Sequence, residues 1–168
     1  MRIGLLSDTH DHLDHIATAV RRFEDMGVGL VCHAGDFVSP FALRSLRDLS
    51  CRVVAVLGDN DGNPLGLAAG FMVLGRIVNP PHPFRADDLD CLVMHRPDGL
   101  ESLVRSQDYD LIVYGHTHRA EIRREGRTTV INPGEGSGWT SGRATAAWFD
   151  TVSREVEIFD LAPSVARA

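Results

Sequence analysis

MRIGLLSDTH, residues 1–10, sets an apolar run with strand character, Ile3 to Leu6, directly ahead of a polar one, Ser7-Asp8-Thr9-His10. A short continuous apolar run bounded by turn-forming residues is the signature of a strand buried on both faces. The same phrase recurs along the chain. Val28 to Cys32 leads to Asp36, Val53 to Leu57 leads to Asp59 and Asn60, Cys91 to Met94 leads to His95, and Leu111 to Tyr114 leads to His116 and His118. Between the first two runs, Leu13, Ile16, Val20, Phe23 and Met26 step by three or four and Gly27 follows, which predicts an amphipathic helix. Ser39-Pro40 supplies an N-cap and a first-position proline for a second helix through about Leu49, Asp98 opens a third, and Pro64 to Leu74 is a weaker helical stretch.

Strands alternating with helices imply parallel strands joined by right-handed crossovers, with helices covering the sheet. The last third changes character. Short β-type runs, Thr128 to Ile131, Ala144 to Phe149 and Val156 to Leu161, are separated by Gly-rich or polar turns, which predicts a mostly antiparallel meander. The expected fold class is α/β, a sandwich of mixed central sheets flanked by helices. A single domain is expected over 1–162, with 163–168 a frayed tail.

A chain of 168 residues suffices for one apolar core and is short for two domains. Its 43% hydrophobic and 24% charged residues are ordinary for a globular protein, which argues against disorder and coiled coil. A net charge of -6 with scattered arginines offers no row of cations for phosphates, so no specific nucleic-acid binding is expected. Cys32, Cys51 and Cys91 are odd in number, far apart and set in apolar stretches, so they read as reduced core residues. The N-terminal apolar run is too short for a signal peptide or a membrane span, so a cytoplasmic protein without membrane contact is expected.

All of the polar residues named above fall just past a predicted strand's carboxyl end. In open α/β sheets the loops at that edge converge on one crevice, so five loops deliver Asp8, His10, Asp36, Asp59, Asn60, His95, His116 and His118 to one place. Carboxylate oxygens mixed with neutral imidazoles suit Mn, Fe, Co, Ni or Zn, whereas an all-oxygen set would favour Mg or Ca. So many ligating groups exceed the needs of one four-coordinate zinc. Two ions about 3.5 to 4 Å apart form the clamp used for displacement at phosphorus.

These motifs resemble the calcineurin-like metallophosphoesterases, in particular their small single-domain prokaryotic phosphodiesterases. The matching segments are SDTH at 7–10, HAGDFVSP at 33–40, GDND at 58–61, MH at 94–95, GHTH at 115–118 and NPGE at 132–135, in the family's order and spacing over nearly the whole chain. The resemblance implies a metallophosphoesterase-type sandwich that hydrolyses a phosphate ester, more readily a diester than a monoester, through hydroxide generated at two metal ions. It implies that Asp8, His10 and His118 hold one metal, that His95 and His116 hold the other, and that Asp36 bridges them. Asp59 falls where the family usually has the asparagine ligand of the second metal. The ions expected are two divalent transition metals, manganese first, with iron, nickel, cobalt or zinc as alternatives. The partner expected is a small phosphate ester, with a homo-oligomer an open option.

The chain departs from the family's pattern at Asp59 and at Arg96, where glycine is common. A third carboxylate leaves one positive charge fewer at a two-metal centre, and Arg96 is a candidate to restore it by pairing with a phosphate oxygen. Some relatives place a histidine at the position of Asn60. Its absence leaves Asn60 and His12 as candidate substrate contacts, and His12, two residues past His10, as a candidate catalytic neighbour along with Asn60 and Asp59. Simpler readings hold for His15, His33 and His82, taken as surface or satisfied histidines. Gly134, Gly136 and Gly138 lack the lysine of a phosphate-binding loop and read as a turn bordering the site. The rival function is a weak or inactive scaffold on the same fold, but a scaffold has no need of the full ligand set.

Overall fold

The computed structural model describes residues 1–161, so the tail expected to fray lies outside them. Strands β1 (Arg2–Leu6), β2 (Leu30–His33), β3 (Arg52–Val56) and β4 (Gly75–Val78) pair in parallel. On the other side of β1 lies β10 (Thr145–Asp150), antiparallel to it, and beyond that β11 (Val156–Asp160), antiparallel to β10, giving a six-stranded sheet ordered β11-β10-β1-β2-β3-β4. A second sheet of five strands, β5-β6-β7-β9-β8, is built from β5 (His82–Ala86), β6 (Leu89–Val93), β7 (Leu111–Val113), β8 (Glu121–Glu125) and β9 (Thr128–Asn132). Within it β6, β7 and β9 are parallel and the two edges are antiparallel.

The two-residue period of a strand divides each apolar run between two layers. Ile3, Leu5, Leu30, Cys32, Val54 and Val56 face the other sheet, where Cys91, Val93, Leu111, Val113 and Ile131 meet them. The alternate residues Leu6, Val31, Val53 and Ala55 face outward, onto helices α1 (Leu13–Asp25), α2 (Leu43–Leu46) and α3 (Pro64–Phe71). Leu92, Ile112 and Val130 face outward on the second sheet, onto α4 (Leu100–Ser106). The order of layers is helix, sheet, sheet, helix, and both faces of each central strand are covered. Each large side chain sealed there contributes about 1.5–3 kcal/mol relative to exposure.

Several expectations need correction. The last third is not one meander: β8 and β9 belong to one sheet, β10 and β11 to the other, and β9 runs parallel to β7. Ser39 does cap a helical turn, but Pro40–Ala42 is 3₁₀ and α2 ends at Leu46, short of Leu49. Asp98 does not open α4. Its carboxylate takes the Arg96 guanidinium at 2.9 Å, and Gly99, at φ +80°, precedes the helix without a side-chain cap. Phe71 is buried with Phe37 and Leu67, whereas Trp139 is 67% exposed.

Candidate metal centre

The loops after β1, β2, β3, β6 and β7 meet at the carboxyl edge of the two sheets, and they are joined by backbone bonds before any ligand is considered. Asp8 N–H donates to Gly35 O and His10 N–H to Asp36 O, both at 3.0 Å. Ser137 N–H donates to Asp8 O and Gly136 N–H to Ser7 O, which places the Gly-rich turn against the site as expected. Asp8, His10, Asp36, His116 and His118 all have left-handed backbone, φ +41° to +68°. Two glycines permit the close approach: a Cβ at Gly58 would overlap the Asp36 carboxylate, and one at Gly115 would overlap the Ser7 hydroxyl.

The ligating atoms fall into two groups, each within 4.8 Å: Asp8, His10, Asp36 and His118 in one, Asp59, His95 and His116 in the other. Asp36 stands between them. Its Oδ2 lies 3.6 Å from His10 Nε2 and its Oδ1 lies 3.5 Å from His95 Nε2. Asn60 fixes the carboxylate in that orientation, donating its backbone N–H to Oδ1 at 2.8 Å and its side-chain amide to Oδ2 at 2.7 Å. Asp61 shapes the same loop by accepting from Val38 N–H and Gly58 N–H, and burial raises its pKa.

Partners behind the imidazoles fix which nitrogen faces inward. His95 Nδ1 donates to Ala34 O at 2.8 Å, which in the neutral ring leaves Nε2 as the ligating atom, aimed at Asp36. Thr140 Oγ1 donates to Glu135 at 3.1 Å and so accepts from His118 Nδ1 at 2.7 Å, leaving His118 Nε2 aimed at Asp8 Oδ1, 3.4 Å away. Glu135 is fully buried. Burial pushes its pKa up, but bonds from Ser141, Thr140 and Ser137 outweigh that and bring it down to about 2. Each Nε2 thus faces a carboxylate oxygen at 3.4–3.6 Å, longer than an ordinary N–H···O hydrogen bond. Among the described residues His10 Nε2 and His95 Nε2 are buried without a hydrogen-bond partner. Burial also raises the pKa of Asp8. Converging acceptors, unpartnered nitrogens and buried carboxylates are the environment a cation satisfies, so the residues fit metal ions.

The groups differ in exposure. Asp8 and Asp36 are buried, while the Asp59 side chain is 40% exposed and the His116 side chain 36%. Arg96 does not point free into solvent: its Nη1 lies 3.3 Å from Asp59 Oδ2 and its Nε 2.9 Å from Asp98. Asp59 Oδ2 in turn lies 3.2 Å from His116 Nδ1.

His12 is not brought into either group. Its Nδ1 caps α1 by accepting from His15 N–H, and its ring stacks on His15 at 3.6 Å between centroids and lies 4.7 Å from Trp139. Burial and the neighbouring His15 lower its pKa. His15 and His33 are satisfied, by Ser137 O and by Thr9 and Gly35 respectively. Burial holds His33 well below the ordinary imidazole range. Cys32 and Cys91 are buried and all three cysteines are unpaired. Sequence reasoning missed Glu135 and Thr140. Glu135 closes the NPGE segment at 132–135, but nothing in its sequence context assigned it a role, and a carboxylate followed closely by Ser137, Thr140 and Ser141 is common in turns.

Residues 1–154 match the family model of the calcineurin-like phosphoesterase superfamily domain. A phosphodiesterase of Methanocaldococcus jannaschii is 36% identical over 159 residues, 92% of this chain and 96% of that protein. A solved archaeal phosphodiesterase superposes with a TM-score of 0.90 at 34% identity, covering 95% of this chain and 99% of the other. A phosphoesterase from E. coli shares the fold with a TM-score of 0.70 at 19% identity, covering 96% and 100%.

Proposed function

Because the chain belongs to the calcineurin-like phosphoesterase superfamily, we propose that it is a metal-dependent phosphodiesterase with its centre at the two Asp/His groups. The observation that carries this reading is the convergence of His10 Nε2 and His95 Nε2, both buried without a hydrogen-bond partner, on the buried carboxylate of Asp36. Asp8, His10 and His118 would hold one ion, Asp59, His95 and His116 the other, with Asp36 shared. Divalent ions bound there would supply Lewis-acid polarisation of phosphoryl oxygens and lower the pKa of water to near neutrality.

The chain's own residues do the positioning. Asn60 clamps Asp36 through both oxygens, with its backbone N–H and one hydrogen of its amide. Thr140 with Glu135 sets the ring of His118, and Ala34 O sets that of His95. Arg96 offsets the extra carboxylate by pairing with Asp59 directly. We assign His12 a supporting role, as the cap that anchors α1 and packs Trp139 beside the site.

The small size of the chain supports a compact substrate. One core shared by both sheets supports reading 1–162 as a single domain. Manganese is the ion we would test first, given a donor set mixed from oxygen and nitrogen. No described helix is long and apolar enough to cross a membrane, and three unpaired thiols support a reducing, cytoplasmic setting.

The test is hydrolysis of a chromogenic phosphodiester by chelator-stripped protein, before and after Mn²⁺ is restored, beside the matched monoester. Activity lost on stripping, regained with metal and higher for the diester is expected. Inactivity with each transition metal in turn would sink the proposal.

A further inference from the structure

Beside the exposed Asp59 group lies a cleft of about 190 Å³ whose walls are Pro80, Pro81, Met94, Leu103 and the guanidinium of Arg96. Asp59 and His95 belong both to this cleft and to the metal group, so whatever fills it lies next to the reacting phosphorus. A separate recess adjoins the other group, lined by His10, Asn60, His118 and Trp139. An ester of phosphorus with two substituents therefore has two places to put them, and the two places differ in chemistry.

We propose that the cleft at Pro80, Pro81, Met94, Arg96 and Leu103 is the subsite for one substituent of the ester, and that it selects an uncharged aromatic ring. This rests on the phosphoesterase reading above. Volume sets the size: a cavity of about 150 Å³ lined by apolar side chains accepts benzene, so 190 Å³ admits one ring and little more. Shape favours a flat group, because two consecutive prolines and a planar guanidinium offer flat faces and Met94 offers a thioether to a ring edge. Charge excludes an anionic group. Arg96 is the cation of the cleft, and it is committed to Asp59 at 3.3 Å and Asp98 at 2.9 Å. Tied in this way, Arg96 has two of its donors taken by carboxylates, and a guanidinium lining the cleft is a partner for an aromatic ring through cation–π stacking.

The experiment compares dissociation constants of phenylphosphonate and methylphosphonate, neither hydrolysable, for the Mn²⁺-loaded protein by calorimetry. The readout is their ratio in the wild type, in Leu103→Trp, which fills the cleft, and in Arg96→Ala, an exposed change that removes one flat wall. A preference for phenyl of about tenfold is expected in the wild type, equivalent to about 1.4 kcal/mol, collapsing to about twofold or less in both variants. Equal affinities in the wild type, no binding of either ligand, or a phenyl preference that survives in both variants would each overturn the subsite. If diester hydrolysis is absent while the phenyl preference and its loss in the variants are seen, the subsite stands and the hydrolytic reading falls. Hydrolysis without any phenyl preference removes the subsite and leaves the hydrolytic reading in place.

Discussion

Left-handed backbone at Asp8, His10, Asp36, His116 and His118 costs on the order of 1–3 kcal/mol at each position. Asp and His tolerate it better than branched residues do. The cost is sustained because the loops are bonded to one another: His116 N–H donates to both oxygens of Asp8, at 3.1 and 3.2 Å. Such a frame holds main chain, not side chains, and the rings depend on the groups behind them. Thr140→Val removes the acceptor of His118 Nδ1 and the donor to Glu135 together. It is expected to weaken metal affinity by about 10–100-fold, read by competition with a chromophoric chelator, while Thr140→Ser restores most of it. An unchanged affinity in the valine variant would mean that Glu135 orients His118 unaided. At this scale the sequence was most legible where chemistry is rare. Asp8, His10, Asp36, His95, His116 and His118 stood out because imidazoles and carboxylates seldom follow apolar runs so regularly. The partners of those rings were illegible, since threonine and backbone carbonyls such as Ala34 O occur everywhere.

Among the elements, the strands read correctly are those buried on both faces, such as β2 and β7, whose every residue is apolar or sealed. The three that escaped notice, β4, β5 and β8, are edge strands. β8 reads EIRRE and β5 reads HPFRA, with exposed positions alternating along each, so neither contains an apolar run to detect. Their charges have a use, because an edge dressed with arginine resists pairing with another chain. The far ends of the strands, away from the metal centre, are tied by Asp110, which receives Arg127 at 2.6 Å, Arg154 at 3.1 Å and Asp90 N–H at 3.0 Å. Arg154 lies between β10 and β11, so this carboxylate joins one sheet to the other. Burial would raise its pKa, but the two guanidiniums and the N–H outweigh burial and hold it below the ordinary carboxylate range. A carboxylate depressed in the folded state stabilises above its unfolded pKa of about 3.9 and loses that contribution as the pH falls through its folded value. Asp110→Asn is therefore expected to cost about 2 kcal/mol at neutral pH in urea unfolding. The gap from wild type should close as the pH drops below about 4, and a gap independent of pH would contradict the ion-pair account.

Across the whole molecule, the expected sandwich of mixed sheets flanked by helices is the architecture found, but the runs did not say which face of each strand meets which layer. A single run such as Ile3 to Leu6 does not say whether its two faces meet helices or another sheet. Only contacts between β1–β3 and β6–β9 decide that, and those are remote in sequence. The candidate ligands come from residues 8 to 118 and from loops on both sheets. An ion held there is a removable cross-link, and unfolding the chain must release it. Thermal unfolding consequently becomes a binding measurement: at free metal about a thousandfold above the dissociation constant, the folded state gains about 4 kcal/mol. For a chain of this size that raises the melting midpoint by on the order of ten degrees. Midpoints recorded across a series of metals at equal free concentration would rank the ions by affinity with no substrate in hand, and a midpoint indifferent to chelator would show that the loops close without them.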